Sequence, residues 1–94
     1  MPADLGEKVK RYEGLLAEAI EAAEPVPDPN TPLGDAATDF MTMASSYLDD
    51  GRHFDEEGDQ VNALAAYAYG HAWLDAGARL GLFSVPSEGD LFTV

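Results

Sequence analysis

The sequence has no cysteine, and its 94 residues include only two lysines and one tryptophan. Without cysteine the chain cannot form disulfides, zinc–thiolate sites or iron–sulfur clusters, and it has no thiol nucleophile. A chain this short buries a smaller fraction of its surface than a large one, so its stability is modest and oligomerisation is the remaining common way to increase it. We therefore predict a single domain over residues 1–94, as a homodimer or with an unidentified protein partner, and we assign it no cofactor.

Basic residues are also scarce: 18 acidic residues stand against five basic ones, for a formal net charge of −13. Nucleic-acid binding depends mainly on lysine and arginine at phosphates, so we predict that the protein does not bind nucleic acid. An anionic membrane surface is disfavoured for the same reason. Self-repulsion of this size is screened by salt, which indicates a halophilic protein from a salt-rich cytoplasm.

Long hydrophobic runs are missing as well. The longest nearly apolar stretch, residues 63–74, is about a dozen residues long and is interrupted by Gly70 and His71. That length is typical of a buried helix and is too short for a membrane span. The first residues, MPADLGEKVKRYEG, lack the apolar segment of a signal peptide. We therefore expect a cytoplasmic protein that does not enter the membrane.

Prolines divide the amino-terminal half of the chain. A helix near 5–24 is predicted, because Asp4 with Glu7 three residues later has the spacing of a capping box, and apolar residues then recur at helical spacing. The segment 24–32 contains four prolines, which exclude a helix or a central strand. We predict that it forms an extended, stiff strap between the first and second helices.

The second helix is predicted near 33–57. Thr31 followed by Pro32 is a typical helix start, with a capping side chain and then proline at the first helical position. Apolar residues follow at spacings of three and four, with polar residues on the opposite side. This is the clearest amphipathic helix in the sequence.

The third helix is predicted near 60–80, in an antiparallel hairpin with the second. Gly58 is a natural end for one helix and Asp59 a natural cap for the next, so the turn between them is tight. Residues 84–94 form a tail that we expect to fold back over the helices. The predicted fold is all-α, a three-helix bundle with the proline-rich strap between helices one and two.

The third helix is apolar on nearly every side, so we predict that it lies at the centre of the bundle. Its glycines cost about 1 kcal/mol each relative to alanine, and they allow a neighbouring backbone to come close. We interpret its small-residue side as a docking surface, which makes the protein an interaction or self-association module. A separate apolar face comprises Val61, Leu64, Ala65, Ala68, Ala72 and Ala76. The predicted interaction face comprises Gly70, Leu74, Gly77, Gly81 and Trp73.

A line of polar residues also runs along the third helix. Its members are four residues apart and are therefore neighbours on the helix surface, where they can pair. This polar line comprises Tyr67, His71, Asp75 and Arg79. It supports an alternative hypothesis, in which the protein is a small-molecule or divalent-metal-dependent enzyme. The more ordinary interpretation is a partly exposed stripe of ion pairs.

Acidic residues crowd the end of the predicted hairpin. Asp49, His53 and Glu56 lie three or four residues apart, so one helix face could offer three ligands to a divalent ion. The segment lacks the oxygen-ligand pattern of an EF-hand loop. We assign no metal to this end and keep these residues as candidate ligands only, because a solvated acidic helix end has the same sequence.

Residues 47–83, YLDDGRHFDEEGDQVNALAAYAYGHAWLDAGARLGLF, resemble the archaeal domain-of-unknown-function 357 family. One departure is Gly51, where many relatives have alanine after the aspartate. The resemblance implies a small all-helical archaeal protein and brings no assigned activity. The residues that carry it are Tyr47, Leu48, Asp50, Phe54, Gly58, Asp59, Asn62, Ala63, Tyr69, Gly70, Leu74, Asp75 and Ala76.

Overall fold

The computed structural model describes residues 4–87, 89, 91 and 92 and contains three helices. Helix α1 spans Leu5–Ala22, α2 spans Pro32–Glu56 and α3 spans Gln60–Arg79. The predicted all-α bundle and the antiparallel hairpin of α2 and α3 are confirmed. Among the described residues, no helix combines the length and apolarity that a membrane crossing requires.

The helix starts follow from the capping residues that the sequence predicts. The Asp4 carboxylate accepts a hydrogen bond from the Glu7 backbone N–H at 3.2 Å. Asp59 accepts one from the Asn62 backbone N–H, also at 3.2 Å. Each cap satisfies one of the backbone donors that a helix start leaves without a partner.

The strap is fixed onto the start of α2 by Thr31. The Thr31 hydroxyl accepts from the Gly34 backbone N–H at 3.0 Å and donates to the Asp28 carbonyl at 2.6 Å. Gly34 is buried, and the Asp28 carbonyl occupies the space that a β-carbon at this position would need. One side chain thus caps α2 and holds the preceding turn against it.

A two-stranded antiparallel ladder is the feature that the sequence analysis did not predict. Strand β1, Glu24–Pro25, pairs with β2, Phe83–Ser84, and the Val26 backbone N–H donates to the Leu82 carbonyl at 2.9 Å. Proline is tolerated here because each strand lies at an edge of the ladder. The ladder takes up the residues at which α1 was expected to end, so α1 finishes at Ala22 and not at Glu24.

The core lies where α1 covers one side of the α2–α3 hairpin. Its largest fully buried side chains come from α1 and α3, and the ladder adds Phe83. Within the described residues the tail returns to the bundle as predicted, since Phe92 is buried and Leu91 packs against the core, whereas residues 88, 90, 93 and 94 lie outside the described part of the chain. The largest fully buried residues are Val9, Leu16, Tyr67 and Leu74.

Candidate interaction surface

The small residues of α3 face the inside of this chain. A β-carbon at Gly70 would lie 2.9 Å from the Tyr47 β-carbon and 3.0 Å from a Leu16 methyl group. At Gly77 it would collide with the ring of Phe83. A larger residue would not fit at either position, because side chains of the same chain occupy the space beside each glycine.

The predicted interaction face must accordingly be corrected. Gly70, Leu74 and Gly77 are buried, so they do not present a surface to another chain. Gly81 is exposed and has φ +80°, a backbone conformation that glycine adopts at the end of a helix. Of the five predicted residues, only Trp73 is both partly exposed and placed beside an apolar cleft.

The other apolar face of α3 is exposed except at Leu64, which packs against the core. Val61 and Tyr69 have 67% and 54% of their surface exposed, and Leu80 at the end of the helix has 68%. No charged residue occurs on α3 from Gln60 to Leu74. Four exposed alanines share this side of the helix: Ala65, Ala68, Ala72 and Ala76.

Two aromatic pairs border the exposed face, each joining α2 to α3. The rings of Phe40 and Trp73 meet edge to face at 5.0 Å, and those of Tyr47 and Tyr69 at 4.7 Å. Such pairs stabilise by about 0.5–1.5 kcal/mol beyond the burial of their surface. All four rings remain at least partly accessible to solvent.

A groove runs between α2 and α3 past these aromatic rings. It consists of two apolar clefts, of about 350 Å³ and 260 Å³, and Tyr69 lines both. We call them together the α2–α3 groove. Its lining comprises Phe40, Tyr47, Phe54, Asn62, Ala65, Ala66, Tyr69, Ala72, Trp73 and Ala76. The aromatic part of this groove was not predicted from the sequence, although Phe40, Tyr47 and Phe54 recur every seven residues on α2.

The predicted polar line is divided by the fold. Tyr67 is fully buried, and its ring occupies the space beside Gly51, whereas Arg79 is exposed. His71 and Asp75 line a cleft of about 280 Å³ between α1 and α3. His71 and Asp75 therefore share this cleft, whereas Tyr67 lies in the core.

The Tyr67 hydroxyl is buried, and no group in the described part of the chain forms a hydrogen bond with it. Burial is the main cause that raises the pKa of Tyr67 to about 12, and the carboxylates of Glu13 and Asp55 add to it. Arg52 opposes the rise and forms an ion pair with Glu13 at 2.8 Å. This tyrosine is a neutral core residue at physiological pH.

His71 contacts the returning tail. Its Nε2 lies at hydrogen-bond distance from the Leu91 carbonyl, and because a carbonyl only accepts, Nε2 is the donor. The imidazole also lies 6.1 Å from the ring of Phe92. His71 thus holds residues 91 and 92 beside the cleft between α1 and α3.

The acidic end of the hairpin does not form a metal centre in the described residues, where no group of three or more histidine, aspartate or glutamate side chains is arranged to hold an ion. Asp49, His53 and Glu56 are exposed on α2. His53 Nε2 instead lies 3.2 Å from the Glu57 carboxylate, four residues along the chain.

These features define a small three-helix bundle with an exposed aromatic groove. A family model described as "Protein of unknown function (DUF357)" matches residues 11–83, which is most of the chain. The protein belongs to this family, as its sequence suggested. Comparison with curated proteins and with solved structures gives no match.

Proposed function

We propose that the protein is a protein–protein interaction module that docks another polypeptide in the α2–α3 groove. One observation carries the proposal: in a chain of net charge −13, the exposed side of α3 is uncharged over fifteen residues and bordered by aromatic rings. A contiguous exposed apolar surface on a soluble protein is typical of a binding site. Interface anchors are enriched in tryptophan and tyrosine, and the groove contains both.

Photo-crosslinking tests whether this groove is an interface in cells. A photoreactive phenylalanine analogue replaces Tyr69, which lines both clefts, in one variant and Leu33 in another. Leu33 is a matched control, since it is 63% exposed at the start of α2. We expect a discrete adduct from position 69 only, with a mass that identifies the captured chain. Equal adducts from both positions, or none from position 69, would contradict the proposal.

The enzyme alternative has weaker support. Its polar line loses Tyr67 to the core, and His71 contacts the Leu91 carbonyl. The acidic hairpin end can be tested by thermal unfolding with magnesium and calcium, because a specific site stabilises the folded state by mass action. We expect the two ions to act alike and only at high concentration. A large stabilisation by one ion at micromolar concentration would revive the alternative.

The composition supports a cytoplasmic setting with high salt. Eighteen acidic residues and no cysteine are compatible with a reducing, salt-rich interior, where screening weakens the repulsion between carboxylates. The proposal therefore includes a halophilic archaeal cell as the source, and partners that bind at high ionic strength.

A further inference from the structure

The charge beside the α2–α3 groove indicates what kind of chain it binds. Helix α2 has six acidic residues and a single arginine. That arginine, Arg52, pairs with Glu13 of α1 at 2.8 Å. Asp39 and Asp50 are eleven residues apart, which is about three helical turns, so they lie on one line of α2.

This acidic line borders the groove. Asp50 is exposed; it follows Tyr47 by three residues and precedes Phe54 by four, so it is a neighbour on the surface of α2 of two residues that line the groove. Asp39 is exposed as well, three turns before Asp50 on the same line of α2. An exposed acidic line on α2 therefore runs beside the aromatic residues of the groove, and the floor of the groove on α3 is uncharged and apolar.

The dimensions of the groove match a helix. The residues of α3 that line its two clefts extend from Asn62 to Ala76, a rise of roughly 21 Å or four helical turns. Amphipathic helices bind such grooves through apolar residues spaced three, four and seven apart. A helix in this position would complete a four-helix arrangement with α1, α2 and α3.

We propose that the occupant of the α2–α3 groove is an amphipathic helix of another protein, with lysine or arginine flanking its apolar stripe. This rests on the proposed function. The stripe packs on Tyr69, Trp73 and the alanines of α3, and the basic residues lie along the acidic side of α2. A second copy of this chain fits less well, because its α2 would bring a second acidic line to the same surface.

The probe is a synthetic 18-residue amphipathic helix of leucine and lysine. Trp73 is the only tryptophan and lines the groove, so its fluorescence reports binding to the full chain. A peptide of the same composition, reordered so that no apolar stripe forms, is the control for attraction by charge. We expect saturable binding of the amphipathic peptide and weaker binding of the reordered one.

Two variants with the same added charge separate groove binding from attraction by charge. Ala72→Glu places a carboxylate in the groove, whereas Gly14→Glu places one on α1, where a β-carbon meets no atom within 4 Å. Both make the protein more acidic, so binding by charge alone would be as tight or tighter in both. We expect about tenfold weaker binding for Ala72→Glu only, because a carboxylate is costly to bury against apolar groups. Circular dichroism checks that both variants fold, and Ala65→Glu serves as a second groove variant.

The peptide-binding and crosslinking experiments test the basic helix and the interaction function separately. Undiminished binding by Ala72→Glu and Ala65→Glu, or equal binding of the reordered peptide, overturns the inference. A crosslinked adduct from position 69 with twice the mass of the chain identifies a second copy as the occupant, which overturns the basic helix and leaves the interaction function standing. No adduct from position 69 contradicts the proposed function itself.

Discussion

At the scale of single residues, the close contact between Gly51 and Tyr67 allows a direct test of how the core is packed. The Tyr67 ring occupies the space where a β-carbon at Gly51 would be. We expect Gly51→Ala to lower the free energy of unfolding by about 1–3 kcal/mol, because overpacking forces a buried side chain or the backbone to move. Urea denaturation measures the change.

Gly14 provides the opposite case as a control. It lies in the middle of α1, where an added β-carbon meets open space. Gly14→Ala is expected to raise the free energy of unfolding by about 1 kcal/mol through helix propensity alone. An equal change in the free energy of unfolding for Gly51→Ala and Gly14→Ala would mean that Tyr67 does not pack against Gly51.

The Tyr67 hydroxyl gives a prediction about pH. Its pKa is raised to about 12 in the folded protein, against an ordinary value of about 10 in the unfolded chain. Below pH 10 both states keep the proton, so this group gives no pH dependence. Between about pH 10 and 12 the unfolded chain releases the proton first, so the free energy of unfolding falls as the pH rises.

Tyr67→Phe should remove that part of the pH dependence. We expect urea denaturation of the wild type to show a steeper loss of stability above pH 10 than the variant shows. At pH 7 the variant should be as stable as the wild type or more so, by up to about 1 kcal/mol, because it no longer buries a hydroxyl. A variant that unfolds far more easily at pH 7 would mean that the hydroxyl has an important partner.

At the scale of elements, Thr31 joins the strap to α2. Its hydroxyl bonds both the Gly34 N–H and the Asp28 carbonyl. We expect Thr31→Ala to cost about 1 kcal/mol of stability, the usual effect of losing an N-cap side chain. Thr42→Ala on the exposed side of α2 is the control and should be neutral or slightly stabilising, since alanine is the better helix former.

The elements also show what the sequence could predict. Helix bounds, caps and the tight turn at Gly58 depend on residues close together in the chain, and the helix bounds were predicted to within two residues. The ladder between Glu24 and Ser84 was missed, because two-residue strands have no periodic pattern and their partners are distant in sequence.

The faces of α3 could not be assigned from the sequence. Small and apolar residues lie on both sides of this helix, so the hydrophobic periodicity does not show which side faces the core. The direction depends on which side α1 covers and on where Tyr47 and Phe83 project, and both are tertiary facts. For this reason Gly70 and Gly77 were predicted at a docking surface, and the aromatic groove was not recognised.

At the scale of the whole molecule, the net charge of −13 dominates. Salt screens repulsion between carboxylates, so we expect the melting temperature to rise between 0.1 M and 2 M KCl. Relief of about 1 kcal/mol corresponds to roughly 4–8 °C for a domain of this size. Differential scanning calorimetry measures the shift.

A charge-reduced variant is the control for this prediction. Asp49→Asn with Asp50→Asn removes two exposed negative charges from α2 without touching the core. Its melting temperature should depend less on KCl than that of the wild type. A melting temperature that falls with salt, or an unchanged dependence in the variant, would mean that repulsion does not limit stability.

The ladder between β1 and β2 also has a consequence for the order in which the chain is made. Helix α1 leaves the ribosome first, yet it packs mainly on α3 and is tied through β1 to residues that follow α3. The hairpin of α2 and α3 depends on a tight turn and forms quickly by local contacts. At about 5–20 residues per second, the interval between the synthesis of Ala22 and that of Ser84 is roughly 3–12 s. During that interval the apolar face of α1 lacks the surface that later covers it. Of the three helices, α1 is therefore synthesised first and packed into the bundle last.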